Sequence, residues 1–194
     1  MLLAYSVGGT GARSPKSPAR PALHPSTPSC MNPPPVNVLF LCTHNSARSV
    51  LAEAMLNHYG KGRFRGFSAG SLPRGAVNPL SLLVLSESGI SVAGLRSKSW
   101  DEFASRDAPR MDLVITVCDD AAGEICPLWP GLPATAHWGY ADPSAVVGNE
   151  ERRLAAFRQT MLQMRRRIEL LINLPPSALG RMALQDEARR LGKA

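Results

Sequence analysis

The sequence predicts a single-domain α/β fold: a parallel sheet of about four strands flanked by helices, preceded by a disordered N-terminal tail. Three observations carry this. Short apolar, β-branched runs alternate with helix-length amphipathic segments, a pattern that sets helices on both faces of a parallel sheet. The 194 residues are 44% hydrophobic and 19% charged, as in one globular domain. Residues 1–35 hold 8 of the 17 prolines and few large apolar residues beyond the first five, too few to offset the entropy of ordering.

The elements follow in order. Val36–Leu41 is apolar and β-branched and reads as a buried strand. Cys42–Ser46 is a polar turn. From Ser46 to Tyr59 the residues Val50, Leu51, Ala54 and Met55 recur at helical spacing until Gly60. Phe64–Ala69 reads as a second strand, and Pro79–Ser88 as a helix with Pro79 in its first turn and Gly89 at its stop. Asp112–Cys118 is the clearest strand. A loop with Gly123, Pro127, Pro130, Gly131 and Pro133 leads to a short strand at Thr135–Trp138. A long helix spans Asn149–Asn173, its stripe of Leu154, Phe157, Met161, Met164, Ile168 and Leu171 expected to pack on a sheet and not in a coiled-coil seam. Trp129 and Trp138 read as loop packing and not as substrate contacts. The expected organisation is a Pro/Ser-rich tail over 1–35, the catalytic domain over 36–175, and a helical extension over 176–194 with no chemistry of its own. Met31, just ahead of the ordered part, reads as an alternative start.

Several function classes drop out. No apolar run reaches the ~18–20 residues of a membrane span. The formal charge is +7, but residues 37–149 carry 9 basic and 10 acidic groups, and the excess sits on the tail and the last 45 residues. A neutral body with a basic helix face argues against nucleic acid as the partner. Cys30, Cys42, Cys118 and Cys126 form no CxxC pair and no zinc-spaced cluster. Met1–Tyr5 is too short for a signal peptide, so a cytoplasmic setting with reduced cysteines is expected.

The chemistry sits at the first strand-to-helix turn, Cys42-Thr43-His44-Asn45-Ser46-Ala47-Arg48-Ser49. A polar loop at the carboxyl end of a parallel strand is where this architecture places ligands. The loop's backbone N–H groups and the helix dipole favour an anion. Arg48 presents a planar fork suited to two oxygens of a tetrahedral oxyanion. The same field is expected to depress the Cys42 pKa. Ser49 is expected to donate to the thiolate, Asn45 to hold the loop's shape and His44 to sit at its rim. The alternative is a buried core cysteine beside a surface arginine.

Cys42–Ser49 resembles the phosphate-binding loop of the low-molecular-weight protein tyrosine phosphatase superfamily, and by that resemblance Asp142, followed by Pro143, is the general acid. Within the superfamily the chain is most similar to the arsenate reductase branch. Val117–Glu124, Cys126–Gly131 and His137–Pro143 carry this likeness, which runs from about Val36 to Ile172. The resemblance implies a low-molecular-weight phosphatase fold without a bound cofactor and a cascade of three thiols. Cys42 attacks arsenate, Cys118 attacks Cys42, and Cys126 captures Cys118 on a mobile loop hinged at Gly123 and Gly131. An external thioredoxin or glutaredoxin/glutathione system then reduces the pair. Cys118 and Cys126 lie eight residues apart, one more than the thioredoxin-coupled pattern, so both reductants stay open. Read alone, Cys118 at the end of an apolar strand is a core residue, and only the resemblance makes it a redox thiol.

Three readings follow. The first is arsenate reduction, with phosphate or sulfate as rival occupants of the loop. The second is a phosphatase using only Cys42, Arg48 and Asp142; Ser144-Ala145-Val146-Val147 supplies no aromatic wall for a phenyl ring. The third is a non-catalytic oxyanion sensor or adaptor.

Overall fold

Val36–Cys42 forms strand β1, its apolar side chains alternating between the two faces of a four-stranded sheet. The computed structural model describes residues 33–118 and 129–193. The tail through residue 32, including Cys30, and the segment 119–128, including Gly123, Cys126 and Pro127, lie outside the described residues. After β1 come α1 (Arg48–Tyr59), β2 (Phe64–Gly70), α2 (Pro79–Glu87), the single turn α3 (Asp101–Ala104), β3 (Leu113–Thr116), β4 (Ala134–His137), α4 (Glu150–Ile172) and α5 (Arg181–Gly192). Short 3-10 turns cover Pro143–Ala145 and Pro176–Leu179. All strand pairs are parallel, in the order β2-β1-β3-β4.

Each expected element is present, and the starts have visible causes. Asn78 caps α2, its side chain accepting from Leu80 N, with Pro79 at the first position. Asn149 caps α4 by accepting from Arg152 N, with Glu150 and Glu151 in the positive first turn. The short α3 was not expected, since four residues give no periodicity to read.

The two faces of the sheet are covered unequally. Val38, Phe40, Leu113, Ile115, Ala134 and Ala136 pack into the larger core with α1, α2, α4 and α5. On the other face Leu39, Leu41, Ala69 and Val114 meet Phe103 of α3, Met111 and Trp129. The α4 stripe enters the larger core through Phe157, Thr160, Met164, Ile168 and Leu171. Its nearest neighbours are α1, α2 and α5 rather than the strands. Thr160 is tolerated there because its hydroxyl donates to the Ala156 carbonyl.

Trp138 corrects the sequence expectation: it is a core residue and not loop packing. It is fully buried against Phe40, and its indole N–H donates to the Ala188 carbonyl at 2.8 Å. Leu184, Ala188 and Leu191 bury the inner face of α5 beside it. At Gly192 an added Cβ would meet the His137 carbonyl, so α5 lies directly against β4.

The order of the strands locates the site. From β1 the chain passes to β2 on one side and later to β3 on the other, which opens a crevice at the carboxyl ends of β1 and β3. Leu41 pairs with Thr116, and Val117 N donates to the Leu41 carbonyl. Cys42, the last residue of β1, is therefore level with Val117, and Cys118 comes one residue further on, against Thr43 of the polar loop.

Candidate active site

The turn from β1 into α1 is tight and polar. Asn45 sits at φ 43°, a left-handed conformation that asparagine tolerates better than most residues. There its backbone N–H points at the Cys42 sulfur, 3.2 Å away. The loop's other carbonyls face outward: Thr43 O accepts from Leu72 N, His44 O from Arg74 N, and Ser46 O from Asn78 N. Ala47 caps α1 without a side-chain hydrogen bond, and the first turn holds no acid. The helix start thus lacks an internal anion and faces the loop.

Donation along the loop runs toward sulfur. Lys98 N donates to Asn45 Oδ1 at 2.6 Å, which fixes the amide orientation. Asn45 Nδ2 then donates to Ser49 Oγ at 2.9 Å and to Ser68 Oγ at 2.8 Å. Ser49 Oγ accepts from Asn45 Nδ2 and lies 2.9 Å from Cys42 Sγ; once Cys42 is a thiolate, which has no hydrogen to give, the Ser49 hydroxyl is the donor of that pair.

The expected depression of the Cys42 pKa is not found. Burial pushes the thiol above its ordinary value. The Ser49 hydroxyl and backbone and the Asn45 amide pull it down, while the nearby Cys118 adds to the rise. Desolvation disfavours the anion more strongly than these hydrogen bonds favour it. A thiol with a raised pKa gains its nucleophilic form only as pH rises. Removing a bond that favours the thiolate pushes that rise higher still. In Ser49→Ala the pH profile of Cys42 alkylation by iodoacetamide is expected to move upward, with a roughly tenfold or greater loss of rate at pH 7. An unmoved profile would remove Ser49 from the chemistry.

Arg48, the first residue of α1, reaches across the cleft. Its Nη1 donates to the Tyr140 carbonyl at 3.0 Å and its Nη2 pairs with Asp142 Oδ2 at 3.1 Å. Asp142 Oδ1 accepts from Ser144 N and caps the 3-10 turn. The cleft is lined by Cys42, His44, Ser46, Ala47, Arg48, Arg74, Asp142 and Ser144 and encloses about 10 Å³, room for about one water. A tetrahedral oxyanion is larger than that, so the cleft has to open for one to enter.

The structure brings together Cys42 through Ser49, Asp142 and Cys118. Thr43 Oγ1 stands 3.7 Å from Cys118 Sγ, and the Cys42 and Cys118 thiols are both buried. Cys126 lies outside the described residues. Arg74 and Ser144 were missed, being a lone arginine and a serine in loops without a pattern. Also missed was the support behind the loop, Glu53, Ser68, Gly70 and Lys98. Glu53 left one sign, as the sole charge between Ser49 and Leu56 on α1.

Fold and site define an α/β protein built around a cysteine-based oxyanion loop. The family model for low molecular weight phosphotyrosine protein phosphatase matches residues 37–182, and the chain belongs to that family. Among its relatives, the arsenate reductase of Halalkalibacterium halodurans is 35% identical over 132 residues, covering 68% of this chain and 91% of the relative. A solved arsenate reductase from Archaeoglobus fulgidus superposes with a TM-score of 0.56 at 28% identity, covering 71% of this chain and 99% of that one. An arsenate reductase in the phosphate binding state gives a TM-score of 0.58 at 29% identity, with 71% and 96% covered.

Proposed function

We propose that this protein reduces arsenate to arsenite by an intramolecular thiol–disulfide relay. The observation that carries the reading is the second buried thiol beside the first. Cys118 lies two residues past β3 and one residue beyond the level at which β1 ends in Cys42, 3.7 Å from the Thr43 hydroxyl. A phosphatase needs one thiolate, whereas arsenate reduction takes two electrons, which a thiol pair supplies on forming a disulfide. The likeness to arsenate reductases over 91% of a relative's length supports the same reading.

Arsenate enters the loop, and its oxygens take the guanidinium fork of Arg48 and the amides at the start of α1. Drawing Arg48 away frees Asp142. Cys42 Sγ bonds to arsenic as Asp142 gives a proton to the departing oxygen, which leaves as water. Cys118 Sγ then attacks Cys42 Sγ. The S–S bond forms, the S–As bond breaks, and its electron pair stays on arsenic, which leaves as arsenite. Cys126 attacks Cys118, releasing the Cys42 thiolate and forming a Cys118–Cys126 disulfide. An external dithiol or thiol system, thioredoxin or glutaredoxin/glutathione, returns that pair to two thiols. The cycle needs cysteines kept reduced between turnovers, which suits a cytoplasmic compartment. Phosphate and sulfate, alike in shape and charge, compete for the loop.

The test follows arsenite release by the reduced protein without recycling reductant, then counts thiols. Two thiols are expected to disappear per arsenite, with a peptide joining Cys118 to Cys126 in the oxidised product. Survival of every thiol alongside turnover of para-nitrophenyl phosphate would replace the reductase with a phosphatase.

A further inference from the structure

Behind the loop, away from the cleft, lies a largely buried ion pair that the mechanism above does not use. Lys98 is 6% exposed, and its ammonium is 3.0 Å from Glu53 Oε2. The same Nζ reaches the Arg96 carbonyl at 3.2 Å and Ser68 Oγ at 3.5 Å. All three N–H bonds of the ammonium thus have acceptors. Ser68 in turn donates to Glu53 Oε2 and accepts from Asn45 Nδ2. The groups come from α1, β2 and the strand-like segment before α3, where Gly70 N donates to Lys98 O and Trp100 N to Gly70 O.

Such an arrangement is a poor way to stabilise a fold. Desolvating an ammonium and a carboxylate costs about as much as their attraction returns, and a well-packed apolar pair of the same volume is commonly as stable. What this pair does that an apolar pair cannot is hold polar groups in fixed directions. Both polar atoms of the Asn45 side chain connect to the pair's surroundings: Oδ1 accepts from the Lys98 backbone N–H and Nδ2 donates to Ser68, while the other Nδ2 hydrogen goes forward to Ser49.

We propose that the Lys98–Glu53 pair, acting through Ser68 and the Lys98 backbone amide, is the positioning clamp that holds Asn45 at positive φ, and so aims the Asn45 N–H and the Ser49 hydroxyl at the Cys42 sulfur. The chain of contacts is continuous, from Lys98 and Glu53 to Ser68, Asn45 and Ser49 and on to Cys42. None of the first three touches the reacting atoms. They are positioning residues, and their effect appears in the reactivity of Cys42 and in the grip on the oxyanion. The inference deepens the reading of the site as an oxyanion loop and rests on it.

The experiment uses the full chain with Lys98→Met and, separately, Ser68→Ala, which removes one hydroxyl and leaves the ion pair. Thermal unfolding reports that each variant is folded. Arsenate and inorganic phosphate binding are followed by calorimetry, and Cys42 alkylation by iodoacetamide is followed against pH. In Lys98→Met, arsenite formation at saturating arsenate is expected to fall about 10- to 100-fold, as for a group displaced by about 1 Å, and the alkylation profile to move to higher pH. Ser68→Ala is expected to shift both in the same direction and by less. In Lys98→Ala, millimolar methylammonium is expected to restore part of the rate, which a loss of bulk packing would not allow. A folded Lys98→Met or Ser68→Ala protein with the wild-type alkylation profile would overturn the clamp. Wild-type protein that binds neither arsenate nor phosphate would overturn the reading of the site instead, while the alkylation profile still decides the clamp.

Discussion

Cys118→Ser is expected to lower arsenite formation by about 10³-fold or more, because the attack on Cys42 sulfur then has to come from a thiol in solution. A well-oriented intramolecular group reaches effective concentrations of up to about 10⁵ M or more, against roughly millimolar for a free thiol. The side chain of Cys118 is completely buried, so an external thiol finds little access to the sulfur it would have to replace. The reaction should halt with arsenic on Cys42, and mass spectrometry of the intact protein is expected to find that adduct. Any hydrolysis of para-nitrophenyl phosphate by the wild type supplies the contrast, since a phosphatase reaction at this loop would need one thiol only. Loss of arsenate reduction with hydrolysis kept assigns Cys118 to the relay. Parallel loss of both, with a lowered melting temperature, assigns it to the core as an ordinary buried cysteine. Near-wild-type reduction of arsenate would end the relay altogether.

That contrast matters because the sequence left Cys118 open. The order of strands and helices was legible, since burial on a parallel sheet writes itself into runs such as Val36–Leu41 and Leu113–Val117. The loop from Cys42 to Ser49 was legible too, because an oxyanion site needs its residues consecutive at one strand-to-helix turn. The nearness of Cys118 to that loop was not. It depends on β3 pairing with β1 in the register that sets Leu41 opposite Thr116, and no local pattern states which strand lies beside which. Lys98 was illegible for a related reason. Its partners lie 45 and 30 residues away in the chain, and a lysine between two serines reads as a solvated loop. The Cys42 pKa was misjudged because helix dipole and hydrogen bonds are visible in a motif, whereas depth of burial is not. The Trp138 side chain was assigned to loop packing because α5, which covers it, lies 50 residues further on.

Gly70→Ala is the second change with a large expected effect, and here the obstruction is backbone. Gly70 ends β2 opposite Cys42. An added Cβ would stand 2.5 Å from the Thr43 carbonyl oxygen and 2.9 Å from both Asn45 N and the Cys42 carbonyl. No rotamer relieves contacts with main-chain atoms, so either the loop or the end of β2 must move. Overpacking of this kind lowers stability by about 1–3 kcal/mol. The loop is held to neighbouring segments by several hydrogen bonds, and a shift of about 1 Å in the Asn45 amide is expected to lower arsenite formation roughly 100-fold. Gly62→Ala separates the two effects. Gly62 has φ +78° with nothing within 4 Å of its added Cβ, so alanine there is strained by about 1–2 kcal/mol at the turn between α1 and β2, away from the loop. Its melting temperature is expected to fall while arsenite formation and arsenate affinity stay at wild-type values. A Gly70→Ala protein that loses stability but keeps its activity, as Gly62→Ala does, would mean that the oxyanion loop does not depend on its contact with the end of β2.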